Sequence, residues 1–560
     1  MTNIKQLQDI ASIIRRDLIE NIDSTSKNDL LNNLSYAEIL SCLFFSEIHL
    51  DIKNPENQDN DQFTLPKQKS NKLINIILKR LNAIKEESEE NSWQKIKINN
   101  SDLNLSISAG FALSARLKNR KYRSYILLDE NEMSKGTFYE AIQFASHNSL
   151  NNLCAILSIN SANIKNYKQR FDSLGWNSLI IQGHDIKQIL NSFKEVEKSE
   201  KPTIILAQTI KGKGVSFLEN NPDQNKLILN DSNLVQALKD INYIKMPKIS
   251  LKKPKRISVK EDKNKVQYSP KEYKVTDLVS TEESCKETIH LMHTSNKRII
   301  ALDSNKFFSQ DNTLGLALGL SSKGFIPCIF SHESALSKNL SQIQSLHPII
   351  IFGKNNSDIA YFRTLNNSHI FSPSDAISSG KLIKIAENLQ NISYIKNSST
   401  LASILYKYDE EFLIGGFKTL LSSSSDKAVI ASSGNTVQEA LKAHTLLKNS
   451  RIDSAVIDLY SIKPLNIYNL IEFIKAHGNL LVVVEENHSQ GNIGEMLSNE
   501  LINSDIKIIH LPIINNIHPD SNKILSSIRS FLESKPLESL IKDDSNIKKQ
   551  KNKLKSKKRK

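Results

Sequence analysis

A chain of 560 residues with 39% apolar residues has enough material for three or four hydrophobic cores, and an aromatic share of 6% makes those cores depend on Ile and Leu. The formal charge of +14 is unevenly spread: residues 548–560 (KKQKNKLKSKKRK) hold nine Lys or Arg and no acid, leaving +5 for the rest. The body is then only mildly basic, which removes the need for a whole-surface nucleic-acid footprint.

In chain order, Leu7, Ile10, Ile14, Leu18 and Ile22 recur at three- and four-residue steps and predict an amphipathic helix over 7–22. Residues 36–50 continue helically into the Asp/Asn/Pro-rich loop 51–62. From 105 the pattern alternates: a helix over Ser106–Leu117, a strand over Tyr122–Leu128, a helix over Gly136–His147 and a strand over Leu153–Asn160. KPTIILAQTIKGKG (201–214) adds a buried strand and a glycine-rich turn. Short apolar strands alternating with helices imply a parallel sheet with right-handed crossovers. Residues 220–275, with LKKPKRISVKEDKNK, read as an exposed Lys-rich linker. A second α/β block follows, with strands at Ile299–Leu302, Pro327–Phe330 and Ile349–Phe352. A third has strands at Ala428–Ser432, Ile452–Leu459 and Leu480–Glu485. The expected fold is α/β, three consecutive α/β domains with mainly parallel sheets. Its boundaries are 1–225, a linker at 226–275, a shortened domain at 276–400, a third at 405–543, and a basic tail at 544–560 that buries too little apolar surface to fold.

Cys42, Cys154, Cys285 and Cys328 lie far apart with no CxxC pair and no metal-ligand spacing, so buried free thiols in a reducing compartment are expected. MTNIKQLQDIASIIRR lacks the apolar stretch of a signal peptide, and no apolar run is long enough for a bilayer span. A cytoplasmic protein without membrane contact is the expectation.

Three stretches of the third block carry a more specific signal: ASSGNTVQEALKAHTLLK (431–448), VIDLYSIKPLN (456–466) and VVVEENHSQGNIGEML (482–497). Gly434 and Asn435 permit a tight turn off a strand, and Ile493-Gly494-Glu495 opens a helix after Gly491. Together they resemble the C-terminal domain of the thiamine-diphosphate-dependent transketolases. NLSYAEILSCLFFSEIHL (33–50), NDQF (60–63), SLNNLCAILSIN (149–160) and RFDSLGWNSLIIQGHD (170–185), ending at TIKGKG, resemble that family's first domain in order and spacing. Motif order and the single chain favour transketolase over the two-chain ketoacid dehydrogenases, and deoxyxylulose-phosphate synthase is the nearest rival.

The resemblance implies a dimer holding thiamine diphosphate and a divalent metal, Mg²⁺ or Ca²⁺, through a Gly-Asp-Gly motif and an Asn about thirty residues later. Here the matching residues are Asp129-Glu130-Asn131, and Asn160 stands thirty positions after Glu130. Glu130 and Asn160 are therefore the candidate metal and cofactor residues, but both glycines are gone and Asp129 brings negative charge towards a diphosphate. The family's catalytic Glu corresponds to Gln310, aligned on Asn312 and LGLALGL (314–320). An amide cannot exchange that proton, a loss of about 10²–10⁴ in rate for a general acid–base group; Asp311 is a neighbouring acid to test. The aromatic platform for the pyrimidine reads Ser331-His332-Glu333-Ser334-Ala335, with His332 in place of a stacking Phe. The glycines of the helix entry become Asp102-Leu103-Asn104. The substrate and cofactor histidines are replaced by Pro66-Lys67-Gln68-Lys69, Asn28-Asp29 and Asn225. His184 and His488 follow the family but are expected in a turn and on the surface.

The expectation is thus a transketolase-like protein, inactive or strongly impaired, with no cofactor bound. It would act as a homodimer, or as a heterodimer with a transketolase relative, in interaction or regulation. The alternative is an active transketolase moving two-carbon ketol units between sugar phosphates with thiamine diphosphate and Mg²⁺. A third reading uses the tail KSKKRK (555–560) as a nucleic-acid or anion-binding arm or a nuclear-import signal.

Overall fold

The computed structural model describes residues 3–21, 27–65, 71–84, 103–160, 163–219, 231–254, 271–303, 309–331, 343–344, 348–355, 357–486, 488–514 and 517–533. The chain divides into two compact units. The first comprises Met1–Tyr268, Met292–Ile351 and Leu389–Ile392; the second comprises Ser269–Leu291, Phe352–Asn388 and Ser393–Lys560.

In the first unit the N-terminal helix runs Ile4–Glu20. It starts there because Asn3 and Gln6 cap each other reciprocally: the Gln6 N–H donates to Asn3 Oδ1 at 2.8 Å and the Asn3 N–H to Gln6 Oε1 at 2.9 Å. Leu7, Ile10, Ile14 and Leu18 face inward, as their spacing predicts. A parallel sheet of five strands follows: β1 Gln62–Thr64, β2 Ser124–Asp129, β3 Leu153–Ile159, β4 Asn177–Gln182 and β5 Thr203–Gln208, in the order β1-β2-β3-β5-β4. Every residue of β2 and β3 is buried. The period of two explains how: Tyr125, Leu127, Cys154 and Ile156 join the core beneath the N-terminal helices, while Ile126, Leu128, Ala155 and Leu157 join the core on the opposite face.

Two helices of this unit, Asn104–Leu117 and Gln310–Ser321, cross at Gly110 and Gly319. A Cβ on either glycine would run into the backbone of the other helix, so the close approach requires glycine at both positions. Strands Ile299–Asp303 and Ile326–Phe330 pair in parallel nearby in the chain.

The expected exposed linker at 226–275 is corrected over its described part. Residues Asp231–Asp240 form a helix, and Ala237 and Ile241 are 2% and 5% exposed in the first core, with Leu234, Leu238, Met246, Ile249 and Leu251 packed against it. The Lys density had concealed an apolar stripe at three- and four-residue steps.

The second unit holds a five-stranded sheet in the order Lys418–Leu421, Ala455–Asp458, Val429–Ser432, Leu480–Val484, Lys507–Leu511. The first strand is antiparallel and the others are parallel. Strands Ser368–Phe371 and Ser461–Lys463 pair antiparallel, as do Leu278–Ser280 and Leu401–Ser403. The division into units runs through the middle block expected over 276–400: residues 292–351 and 389–392 belong to the first unit and the rest of the block to the second.

Candidate functional site

Register brings Glu130 and Asn160 together. Asp129, the last residue of β2, pairs with Ser158 of β3, so the next residues emerge side by side at the carboxyl ends of adjacent parallel strands. The Asn160 backbone N–H donates to Glu130 Oε2 at 3.0 Å. Thr209, just past β5, donates its hydroxyl to Asn160 Oδ1 at 3.2 Å, and lies 2.7 Å from the Ser158 hydroxyl. The thirty-residue spacing therefore does mark a spatial pair.

The turn that follows is not open. Asp129 is 9% exposed, and its Oδ1 accepts the Asn131 N–H at 2.9 Å, capping a short 3₁₀ turn over Glu130–Ser134. Glu132 is buried to 4% exposure with Lys135 at 3.2 Å. Three carboxylates thus stand within four positions, balanced by one ammonium. Among the described residues no group of three or more His, Cys, Asp or Glu is arranged to hold a metal ion.

Gln310 is the first residue of the helix Gln310–Ser321, with Ser309 as its N-cap. The turn is held by a residue that sequence reasoning missed. Glu140, on the helix Gly136–His147, accepts the Ser309 N–H at 2.9 Å and the Ser309 hydroxyl at 2.7 Å, and also the Asn312 side-chain amide. Asn312 is fully buried, and gives a second bond to Thr137 O at 3.0 Å while accepting the Ser106 hydroxyl. The one signal available was that Glu140 is the sole acid of its helix. His332 lies outside the described residues, as do Glu333, Ser334, Ala335, Asp102, Asn225 and the basic tail.

His184 sits at a structural junction. Its Nε2 accepts the Ile210 N–H at 2.9 Å, which puts the proton on Nδ1, donated to Glu38 Oε2 at 3.0 Å. Arg15 pairs with the same carboxylate. Burial raises the Glu38 carboxyl, but His184 and Arg15 together outweigh it and hold it below the ordinary range. His184 thus anchors the entry to the KGKG turn. His488 is exposed. No described helix is long and apolar enough to cross a membrane.

Comparison with known proteins adds to this geometry. Residues 113–279 match the family model of the transketolase thiamine diphosphate binding domain, and residues 418–522 that of the transketolase C-terminal domain. Transketolase-like protein 2 of Mus musculus is 26% identical over 88% of this chain and 90% of its own length. Transketolase of Homo sapiens is 25% identical over 94% and 95%. The solved transketolase of Campylobacter jejuni shares the fold with a TM-score of 0.73, at 17% identity, over 94% of this chain and 100% of that one.

Proposed function

Because the chain belongs to the transketolase family, we propose that it keeps the family's architecture without its ketol-transfer activity and serves as an interaction or regulatory homologue. The observation that carries this reading is the state of the Asp129-Glu130-Asn131 turn. Its Asn131 N–H is spent on Asp129, one Glu130 oxygen on Asn160, and the Asn160 amide oxygen on Thr209. On this reading the residues present do not fit a metal-bridged diphosphate: carboxylates crowd the place a polyanion would occupy, and one Glu130 oxygen and the Asn160 amide oxygen already accept hydrogen bonds that compete with a cation. Gln310 in place of the family's acid points the same way. A homodimer, or a heterodimer with an active relative, in the cytoplasm is the proposed working form.

A second reading, an active transketolase acting on sugar phosphates, draws support from one observation: Glu130 and Asn160 still emerge side by side. Titration of the purified chain with thiamine diphosphate and Mg²⁺ separates the two. The first reading expects no saturable heat and no thermal shift. Micromolar binding accompanied by ketol transfer from xylulose 5-phosphate would overturn it.

A further inference from the structure

A cavity of about 630 Å³ opens at the other end of the first sheet, where β2 and β3 begin rather than end, about 20 Å of strand away from Glu130 and Asn160. Half of its lining residues, and all four of its Lys and Arg, come from one stretch of sequence, RLKNRKYR (116–123). The helix Asn104–Leu117 stops there because Asn119 takes φ +50° and the Arg120 N–H reaches back to Ala115 O at 2.8 Å, the left-handed reversal that commonly ends a helix. That reversal brings Arg116, Arg120, Lys121 and Arg123 around a single opening.

The acids that line the cavity are largely spoken for. Asp59 pairs with Arg120 at 2.6 Å. Asp61, 6% exposed, accepts the N–H groups of Arg123 at 2.7 Å and His49 at 2.8 Å, with His49 Nδ1 at 3.2 Å. Glu197 is exposed. The guanidiniums of Arg116 and Arg123 are aimed by backbone carbonyls instead: Arg116 donates to Asn148 O, and Arg123 donates to Asn151 O at 3.1 Å and to Glu197 O at 3.3 Å. Carbonyls orient a guanidinium but leave its charge in place. The Nε of Arg120 is buried and meets no acceptor among the described residues.

More positive charge stands behind this wall. The Lys323 ammonium lies over the ring of Tyr122 at 4.6 Å, the Lys118 ammonium lies over Phe325 at 4.9 Å, and Arg298 Nε donates to Gly324 O at 2.8 Å. Burial, then the charges of Arg120 and Arg298, hold the Lys118 ammonium below its ordinary pKa. The helix ends here are C-terminal and repel an anion weakly, so any attraction comes from the side chains. Four cationic side chains line the cavity against three carboxylates, and Lys118, Lys323 and Arg298 add positive charge behind it, a repulsion that an anion would relieve.

We propose that this cavity binds a small molecule carrying two or more phosphate groups, with Arg116, Arg120 and Arg123 as guanidinium donors and Lys121 as a point charge at the lip. Guanidinium forks match phosphate oxygens in pairs, and the volume lies in the range of small-molecule sites. This site is independent of the thiamine question.

The test is calorimetric titration of the full-length chain with inorganic tripolyphosphate at roughly 0.15 M salt, where exposed charges are screened beyond about 8 Å. One saturable site is expected. Lys121→Glu, an exposed change, should weaken it at least about tenfold without moving the melting temperature of the free protein, and Arg116→Gln with Arg123→Gln should abolish it. A full-length variant with Lys555, Lys557, Lys558 and Lys560 changed to Gln should bind as the parent does. Absence of saturation overturns the proposal. So does a loss that follows the tail variant rather than the cavity variants, or tighter binding of a single-stranded RNA than of tripolyphosphate at the same site.

Discussion

Asp458 is a carboxyl buried completely but bonded on one side only. Tyr406 Oη donates to its Oδ2 at 2.6 Å and Ser374 Oγ to the same atom at 2.7 Å, while Oδ1 has no hydrogen-bond partner among the described residues. Burial pushes the carboxyl up to about 7 against those two bonds, with Asp375 adding to the rise. The sign follows: between about pH 4 and 7 the folded chain holds a proton that the unfolded chain has released. The stabilisation is therefore full below about pH 4 and lost as pH climbs through 7, with a slope of up to about 1.4 kcal/mol per pH unit. Asp458→Asn keeps an acceptor for both hydroxyls and removes the titration. Urea midpoints measured from pH 5 to 8 should fall with pH in the parent more steeply than in the variant; parallel curves would show that Asp458 does not titrate there. Gln310 poses a different question at the same scale. Gln310→Glu supplies one acid but leaves Asp129, Glu130 and Asn131 unchanged, so a coupled ketol-transfer assay should stay at background. Measurable turnover from this single change would count against the inactive reading.

Helix placement shows where local pattern stops being informative. The strands β2, β3 and β5 were legible as short, nearly continuous apolar runs, as a sheet buried on both faces requires, and the helices at 104–117 and 136–147 were legible as the longer segments that alternate with them. So was the third-block motif, for which Glu485 now gives a reason. Fully buried, it accepts the N–H groups of Ile493 at 3.0 Å and Gly494 at 3.3 Å, so it seats the N-terminus of the helix Ile493–Glu500. The Glu140 contact was not legible, since it joins residues from 137, 140, 309 and 312, and no spacing announces it. The helix at 231–240 was hidden in a segment judged by its lysines. Glu140→Ala tests the latch. It would strand three donors at the start of the helix Gln310–Ser321, at about 1–3 kcal/mol. Amides 309–313 should then exchange with deuterium roughly five- to 150-fold faster, while those of β2 and β3 hold their rates. Unchanged exchange at 309–313 would mean that Ser309 alone seats the helix.

At the scale of the molecule, composition and motif order gave the fold class and the family, while the division into units depended on contacts between segments distant in sequence. The cysteines turn that division into a measurement. All four are buried without disulfides. Burial pushes the Cys154 thiol up to about 12 and the Cys42 and Cys285 thiols higher still, with Glu38 adding to the effect at Cys42. A thiolate reagent at pH 8 should therefore find almost nothing to modify in the native chain and four sites after denaturation, because modification must wait for opening. Cys42, Cys154 and Cys328 belong to the first unit and Cys285 to the second. Labelling resolved by mass spectrometry along a urea series should show the first three appearing together. Cys285 should appear at its own midpoint if the second unit opens separately. Cys328 is the telling position, because it lies in the block that sequence reading assigned to a domain with Cys285. If Cys328 follows Cys285 rather than Cys42 and Cys154, the chain opens along the sequence-defined domain and the structural division does not govern unfolding.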